Sequence, residues 1–158
     1  DKMGAAMERL NQWDEAGELI GNLKICHQSL KGIIIDENDV PGLIDELPII
    51  AVLATQANGR TEVCGAEELR VKECDRIHAL CKNLKKMGAD IEELQDGFII
   101  NGPTPLKGAD IETFHDHRIA MAFTIAGLVT DGDVVLDYPG CTSISFPEFY
   151  DVLENLKQ

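Results

Sequence analysis

Three short segments of the chain carry residues whose types and spacing could do chemistry, and the richest is residues 70–76, RVKECDR. It places three cations and two carboxylates in one short stretch, although the chain has only 14 Lys and Arg against 28 Asp and Glu, a formal net charge of −14. Where cations are this scarce, gathering them beside carboxylates predicts a site that holds an anion while a proton is transferred. A solvent-exposed, salt-bridged helix start is the alternative for this segment taken by itself.

The two other segments also place charged side chains at predicted helix starts. Asp45 lies just before a proline, which is tolerated in a first helical turn, and Asp116, His117 and Arg118 open a second helix. Free amide groups and a partial positive charge make such helix ends attractive to anions. The sequence therefore predicts one anion site with acids and bases built in, although Asp45 and Asp116, each taken by itself, fit simple N-caps.

Other kinds of site find little support in the sequence. His115 and His117 are spaced like metal ligands, but no third ligand accompanies them at a telling spacing, so we expect no metal. The sequence contains no Gly-rich phosphate loop, dinucleotide fingerprint or nucleophile elbow.

Composition limits the class of protein. The 158 residues, 44% hydrophobic and 5% aromatic, fit one α/β domain, and the strong negative charge argues against nucleic-acid or anionic-membrane partners. The longest nearly apolar stretch, residues 119–129, is too short to cross a bilayer. Five cysteines without a C-x-x-C pair predict free thiols in a reducing cytoplasm. A chain that begins with Asp1 rather than Met is expected to be a piece of a longer protein.

An internal repeat organises the chain. Residues 2–8 (KMGAAME) resemble residues 86–92 (KMGADIE), and the triplet LKG at residues 30–32 returns at residues 106–108. An apolar helix and then a strand are predicted after each triplet: helices at 43–57 and 116–129, strands at 61–64 and 133–137. Repeats of this length predict a pseudo-symmetric α/β domain built from equivalent units.

The remaining elements follow from hydrophobic periodicity. Apolar side chains at spacings of three and four predict a helix over residues 75–87, ended by the glycine that follows Met87. Strands at 91–94 and 98–101 and a last helix at 147–156 complete the pattern. Helices alternating with strand pairs predict sheets that carry helices on one face.

Residues 44–48, 70–77 and 116–122 together resemble the 3-phosphoshikimate 1-carboxyvinyltransferase family, also called EPSP synthase. They occur in that family's order and spacing, and the likeness covers essentially the whole chain. The resemblance implies the enolpyruvyl transferase fold, an inside-out α/β barrel of repeated βαβαββ units, in an enzyme of two similar domains. Residues 1–158 would form most of the C-terminal domain, with the N-terminal domain absent from this chain.

The resemblance also implies a reaction and roles for six residues. The family transfers the enolpyruvyl group of phosphoenolpyruvate to the 5-hydroxyl of shikimate 3-phosphate, with release of phosphate and without a metal or organic cofactor. Asp45 would contact shikimate 3-phosphate and act as base, and Glu73 would exchange a proton with the methylene carbon, although the division of labour between the two stays open. By the same resemblance Lys72 would contact shikimate 3-phosphate, whereas Arg76, Arg118 and His117 would bind phosphoenolpyruvate.

The chain departs from the family pattern in three respects. Residues 141–145 lack the lysine that some members place there, and Cys74 stands where Ser or Thr is common. The third departure is length, because a chain without the N-terminal domain holds only about half an active site. We therefore expect the chain by itself to be inactive and its missing N-terminal domain to be a partner.

Two alternative functions remain open. The sibling enolpyruvyl transferase that acts on UDP-N-acetylglucosamine shares the fold, but it usually has Leu at the position of His117 and lacks the pairing of Lys72 with Glu73. A non-catalytic module that binds a protein through its acidic surface is the other. If Asp45, Glu73, Arg76 and Arg118 do not converge on one face of the fold, the enzymatic interpretation of these residues fails.

Overall fold

The computed structural model describes residues 2–156, which form one mixed α/β structure. No helix among these residues is both long and apolar enough to span a membrane. The strands are β1 (Met7–Glu15), β2 (Glu18–Ile25), β3 (Ile34–Ile35), β4 (Gly59–Val63), β5 (Asp90–Leu94), β6 (Gly97–Gly102), β7 (Asp110–Ile111) and β8 (Val135–Leu136). The helices are α1 (Val40–Leu43), α2 (Leu47–Thr55), α3 (Arg76–Lys86), α4 (His117–Ala126) and α5 (Phe149–Leu156), with 3₁₀ turns at Glu67–Val71 and Pro139–Ile144.

A four-stranded sheet of order β3-β4-β6-β5 lies at the centre of the molecule. β3 and β4 run parallel, whereas β4, β6 and β5 pair antiparallel. Helices α2 and α3 pack against β6 and β5 and contact each other, and α4 packs against α2. One hydrophobic core joins the sheet and these three helices. The N-termini of α2, α3 and α4 are therefore held by a common core.

Helix α3 forms where its sequence predicts it. Ile77, Leu80 and Leu84 are fully buried along one stripe, as expected for spacings of three and four. The Asp75 side chain caps the first turn by accepting a hydrogen bond from the amide of His78 at 2.9 Å. Gly88 follows the last turn with a φ of +87°, a conformation that suits glycine.

The internal repeat is confirmed in the backbone. The Lys31 amide donates to the Met3 carbonyl at 3.0 Å, and in the second copy the Lys107 amide donates to the Met87 carbonyl at 2.9 Å. Each lysine also forms an isolated parallel bridge, Lys31 to Asn58 and Lys107 to Asp131. The two copies of the LKG triplet thus make the same backbone contacts, and each is followed by a parallel strand pair, β3 with β4 and β7 with β8.

The glycine of each triplet is required by close backbone approach. A Cβ atom on Gly32 would stand 2.1 Å from the Arg60 carbonyl oxygen, and one on Gly108 would stand 2.3 Å from the Asp133 carbonyl oxygen. Neither distance is compatible with a side chain at these positions. Both copies of the triplet therefore need glycine, because a side chain would overlap a backbone carbonyl oxygen.

The structure corrects the first predicted helix. Of the stretch predicted as a helix over residues 43–57, α2 forms only Leu47–Thr55; Leu43 is the last residue of α1, and residues 44–46 lie between the two helices. Glu46, not Asp45, occupies the N-cap position of α2, and its side chain accepts no capping hydrogen bond. The carboxylate of Asp45 is therefore free to contact other elements. The strand predicted at residues 133–137 is also shorter, since β8 contains Val135 and Leu136 alone.

A charge network fastens α3 to the residue that follows β7. Lys82 and Lys86 donate to the two carboxylate oxygens of Glu112 at 2.7 and 2.8 Å. These two hydrogen bonds lower the pKa of Glu112 to about 2. The network holds the outer side of α3, remote from the helix N-terminus where the predicted site residues lie.

Apolar surface is exposed at the N-terminal end of the structure. The β1–β2 hairpin carries exposed large side chains on both strands, among them Trp13, Leu19 and Leu23. Beside it lies a groove of about 670 Å³ whose lining includes Met3, Leu30, Ile33 and Leu53. Apolar surface of this extent is typical of a region that packs against further protein.

Candidate active site

Arg76, the first residue of α3, lies at the centre of the predicted site and is only 1% exposed. Its Nε donates to Asp116 Oδ2 at 2.7 Å, its Nη1 to Asp45 Oδ1 at 3.1 Å and its Nη2 to Glu73 Oε2 at 2.6 Å. The three segments singled out in the sequence thus meet at one guanidinium. Since burial of a charge is costly without partners, the three carboxylates explain how Arg76 is tolerated there.

Asp116 joins α3 to α4 and is completely buried. Its Oδ1 caps α4 by accepting from the amides of Arg118 and Ile119 at 2.8 and 3.2 Å, while Oδ2 accepts from Arg76. The N-cap interpretation of Asp116 is confirmed. The sequence did not reveal that this cap is also the buried counterion of Arg76, although the residue lies in one of the three predicted segments.

Arg118 forms the other side of the cluster and is partly exposed. Its Nη2 lies 3.5 Å from Asp45 Oδ2, and its Nη1 donates to the Asp45 carbonyl oxygen at 2.8 Å and to Glu46 Oε1 at 3.2 Å. Asp45 therefore stands between two arginines, with its own side chain 48% exposed. Its carboxylate is available to a molecule that approaches from solvent.

Glu73 is the second carboxylate of the cluster that solvent can reach, with a side chain 45% exposed. One oxygen pairs with Arg76, and the other lies 3.9 Å from Nδ1 of the buried His117. That nitrogen has no hydrogen-bond partner among residues 2–156. Unpaired buried nitrogens are uncommon, so a small shift of Glu73 toward His117 would be favourable.

Lys72 is not drawn into the cluster. Its ammonium group instead pairs with Glu68 Oε1 at 2.7 Å, one turn earlier in the chain. Glu68 is 68% exposed, and exposed pairs of this kind contribute little free energy, typically about 0 to 1 kcal/mol. Lys72 can therefore leave Glu68 at little cost when an anion arrives nearby.

Arg70 and Asp75, which belong to the same charged segment, face away from the cluster and bind each other at 2.7 Å. Within residues 70–76, Arg70 and Asp75 therefore stabilise the fold, whereas Glu73 and Arg76 belong to the cluster. The exposed, salt-bridged interpretation is wrong for Arg76, which is buried, whereas Lys72 is partly exposed and forms a salt bridge with Glu68.

Cys74 contacts the cluster through Asp116. Its Sγ stands 3.6 Å from Asp116 Oδ2. Burial and the neighbouring carboxylate raise the pKa of the Cys74 thiol to about 12. The thiol therefore stays protonated near neutral pH and does not supply a nucleophile.

Asp45, Glu73, Arg76 and Arg118 converge on one face, which is the condition that the enzymatic interpretation of these residues has to meet. Within the part of the chain that the structure describes, no group of three His, Cys, Asp or Glu side chains is arranged to hold a metal ion. The cluster offers guanidinium groups for an anion and two partly exposed carboxylates for proton transfer. Side chains of these types in this arrangement could bind an anion and transfer a proton.

Comparison with known proteins identifies the family. The family model described as EPSP synthase (3-phosphoshikimate 1-carboxyvinyltransferase) matches residues 1–153. The chain belongs to the EPSP synthase family. Among curated members, the 3-phosphoshikimate 1-carboxyvinyltransferase of Alkaliphilus oremlandii is 49% identical over 158 residues, which are 100% of this chain and 37% of that protein. The enzyme of the same name from a Sulfurihydrogenibium species is 45% identical, over 99% of this chain and 36% of that protein.

Solved structures agree with the family and confirm the fold. EPSP synthase from Acinetobacter baumannii matches 97% of this chain with a TM-score of 0.92 and 40% identity, over 36% of its own chain. The enolpyruvyl transferase NikO from Streptomyces tendae shares the fold with a TM-score of 0.71 at 16% identity. The predicted enolpyruvyl transferase fold is therefore correct for this EPSP synthase family chain. The chain spans about a third of the length of the relatives that it matches.

Proposed function

We propose that this chain supplies one wall of the active site of a 3-phosphoshikimate 1-carboxyvinyltransferase. Such an enzyme transfers the enolpyruvyl group of phosphoenolpyruvate to the 5-hydroxyl of shikimate 3-phosphate and releases phosphate. The observation that carries the proposal is the convergence of Asp45, Glu73 and Arg118 around the buried Arg76. Family membership supports the same reaction.

In this proposal Arg76 and Arg118 bind phosphoenolpyruvate. Asp45 and Glu73 occupy the two terminal nitrogens of Arg76 in the present structure. A phosphate or carboxylate of the substrate would replace them, because guanidinium nitrogens bind such groups in paired fashion. Asp116 would stay on Nε and hold the guanidinium in place. Substrate binding would thus release two carboxylates at the moment when proton transfer needs them.

We assign the proton transfers to the two released carboxylates. Glu73 would exchange a proton with the methylene carbon of phosphoenolpyruvate, and Asp45 would accept the proton of the attacking hydroxyl. His117 would hydrogen-bond to Glu73 once Arg76 has turned to the substrate, since its Nδ1 is 3.9 Å away and has no partner among the described residues. Positioned acids and bases of this kind contribute about 10² to 10⁴ in rate.

Lys72 is proposed to contact shikimate 3-phosphate. The phosphate dianion would compete with the exposed Glu68 carboxylate for the ammonium group. No organic cofactor or metal is assigned to the reaction.

We further propose that the chain is most of a C-terminal domain and works with an N-terminal domain that this chain lacks. Two observations support this: the chain spans about a third of its relatives' length, and apolar surface is exposed along β1, β2 and the adjoining groove. The free cysteines are consistent with a cytoplasmic location. The purified 158-residue chain is expected to show no turnover with both substrates.

A chimera tests the proposed function directly. The chain replaces the matching segment of the Alkaliphilus oremlandii relative, and phosphate release is measured with phosphoenolpyruvate and shikimate 3-phosphate. Glu73→Gln should lower kcat by about 100-fold or more, whereas Glu92→Gln, an exposed carboxylate on β5, should leave it unchanged. An inactive unmutated chimera would overturn the proposed function, and turnover with UDP-N-acetylglucosamine instead would favour the sibling transferase.

A further inference from the structure

The side chain of Arg70 is held by hydrogen bonds to several distant residues. It lies near the end of the 3₁₀ turn at Glu67–Val71 and reaches across to the turn between β5 and β6. Its Nε donates to the Gln95 carbonyl oxygen and its Nη2 to the Leu94 carbonyl oxygen, both at 2.6 Å. Its Nη1 donates to Asp75 Oδ2 at 2.7 Å and to Glu93 Oε1 at 3.1 Å. One side chain therefore binds four acceptors from two separate segments.

The pattern uses the fork of a guanidinium. The two carbonyl oxygens belong to consecutive residues, Leu94 and Gln95, and accept from two nitrogens on one edge of Arg70. A lysine ammonium is a single point of charge and cannot reproduce both bonds together with the pair to Asp75. The contact thus depends on shape as well as on charge.

The same turn is fastened a second time, just before the 3₁₀ turn begins. Asp96 accepts from the amide of Gly65 through Oδ2 at 2.8 Å and from the amide of Ala66 through its carbonyl oxygen at 2.7 Å. The start and the end of the Glu67–Val71 turn are therefore both attached to the β5–β6 turn. This makes the β5–β6 turn a fixed support for the residues that follow Arg70.

Residues 72–74 form a bend that lies outside every helix and strand of the described chain. Arg70 stands at one end of the bend and Asp75 at the other, and their ion pair closes it. Asp75 uses its second oxygen to cap α3 through the His78 amide. The position of the bend is consequently set by its two ends, which Arg70 holds against the sheet.

The bend carries Glu73, whose carboxylate reaches Arg76 at 2.6 Å. We propose that Arg70 is a positioning residue for Glu73: it fastens the bend at residues 72–74 to the β5–β6 turn and so sets where the Glu73 carboxylate stands. This inference rests on the proposed function for its effect on turnover. None of the acceptors of Arg70 belongs to the cluster around Arg76, so any effect on the chemistry must pass through the bend.

The first test measures turnover in the chimera that carries this chain. Arg70→Lys keeps the charge and removes the fork, and it should lower kcat by about tenfold to 100-fold, because displacing a reacting group by about 1 Å has effects of this size. The KM for phosphoenolpyruvate should change much less, since Arg70 touches neither binding arginine. Lys86→Met is the matched control: it removes a cation that also bonds a carbonyl and a carboxylate, but at the far end of α3.

The second test needs no activity and uses the 158-residue chain. Cys74 lies within the bend and is partly buried, whereas Cys26 is exposed. Peptide mass spectrometry after iodoacetamide treatment measures the alkylation rate of each thiol. Arg70→Lys should speed alkylation of Cys74 by about tenfold through local opening, with the rate of Cys26 unchanged. Lys86→Met should alter neither rate.

The outcomes separate this inference from the proposed function. Loss of kcat together with faster alkylation of Cys74, both confined to Arg70→Lys, supports the positioning role. A kcat for Arg70→Lys equal to that of Lys86→Met overturns it. An unmutated chimera without activity overturns the proposed function. The alkylation rates still test separately whether Arg70 holds the bend, and equal alkylation rates of Cys74 in Arg70→Lys and Lys86→Met refute that role.

Discussion

Replacing Asp116 by asparagine tests the buried ion pair on which the cluster depends. The Asp116→Asn side chain would keep an oxygen for the α4 cap, so the change isolates the contact with Arg76. It removes a charge from a fully buried position and can place an amide group 2.7 Å from the Nε donor of Arg76. Removing one partner of a buried pair costs about 3 to 5 kcal/mol. The lower value, about 3 kcal/mol, is expected, because Arg76 keeps two further carboxylates.

Asp45→Asn is the matched control, because it removes a carboxylate from the same guanidinium at a half-exposed position. Pairs that reach solvent contribute about 0 to 1 kcal/mol, so this variant should lose no more than that. The contrast between the two variants therefore measures the effect of burial, with the arginine and the chemical change held constant.

Urea and thermal unfolding of the 158-residue chain, followed by circular dichroism, measure both variants. With a slope of about 2 kcal/mol per molar urea, Asp116→Asn should shift the midpoint by about 1.5 M. The melting temperature should fall by about 6 to 12 °C, at about 2 to 4 °C per kcal/mol for a chain of this size. Equal losses for Asp116→Asn and Asp45→Asn would refute the argument that burial makes Asp116 the dominant partner of Arg76.

Two further predictions concern acid stability and backbone packing. The pKa of Glu112 in the folded chain is about 2, below its usual 4.5. Its contribution to the free energy of unfolding is therefore complete above about pH 4.5 and disappears as the pH falls toward 2. In urea titrations at several pH values, Glu112→Gln should weaken the loss of stability in acid, whereas Glu92→Gln should not. Gly108→Ala should destabilise the chain by about 2 kcal/mol, because the added methyl overlaps the Asp133 carbonyl. Gly42→Ala, at a position with open space around it, should be neutral or stabilising in the same melts, and equal losses at both glycines would contradict the packing argument.

Much of the fold could be predicted because its signals are local. The stripe of Ile77, Leu80 and Leu84 predicts α3 to within a residue or two, since a helix buries positions three and four apart. Residues 44–46 show the limit of such reasoning. They contain neither glycine nor proline, yet the chain separates α1 from α2 there. The ion pairs of Asp45 with Arg76 and Arg118 join it to residues far along the chain, which no local pattern reveals.

The candidate site divides in the same way. Residue types and the internal repeat predicted which three segments carry charge and that they occupy comparable places. They did not predict that Arg70 holds the β5–β6 turn while Arg76, in the same segment, is buried. Arg70 finds its acceptors 24 and 25 residues away and Arg76 finds Asp116 40 residues away. No local pattern connects such distant partners.

By itself, then, the sequence determined the helices and strands with regular periodicity, the repeat that relates the two units, and the residues available for proton transfer and anion binding. The tertiary structure decided how the charges are shared. It buried Arg76 against Asp116, left Asp45 and Glu73 half open to solvent and turned Lys72 to Glu68. The physical reason is that the energy of a charge depends on its burial and on every neighbour at once, and both are set only when distant segments pack together.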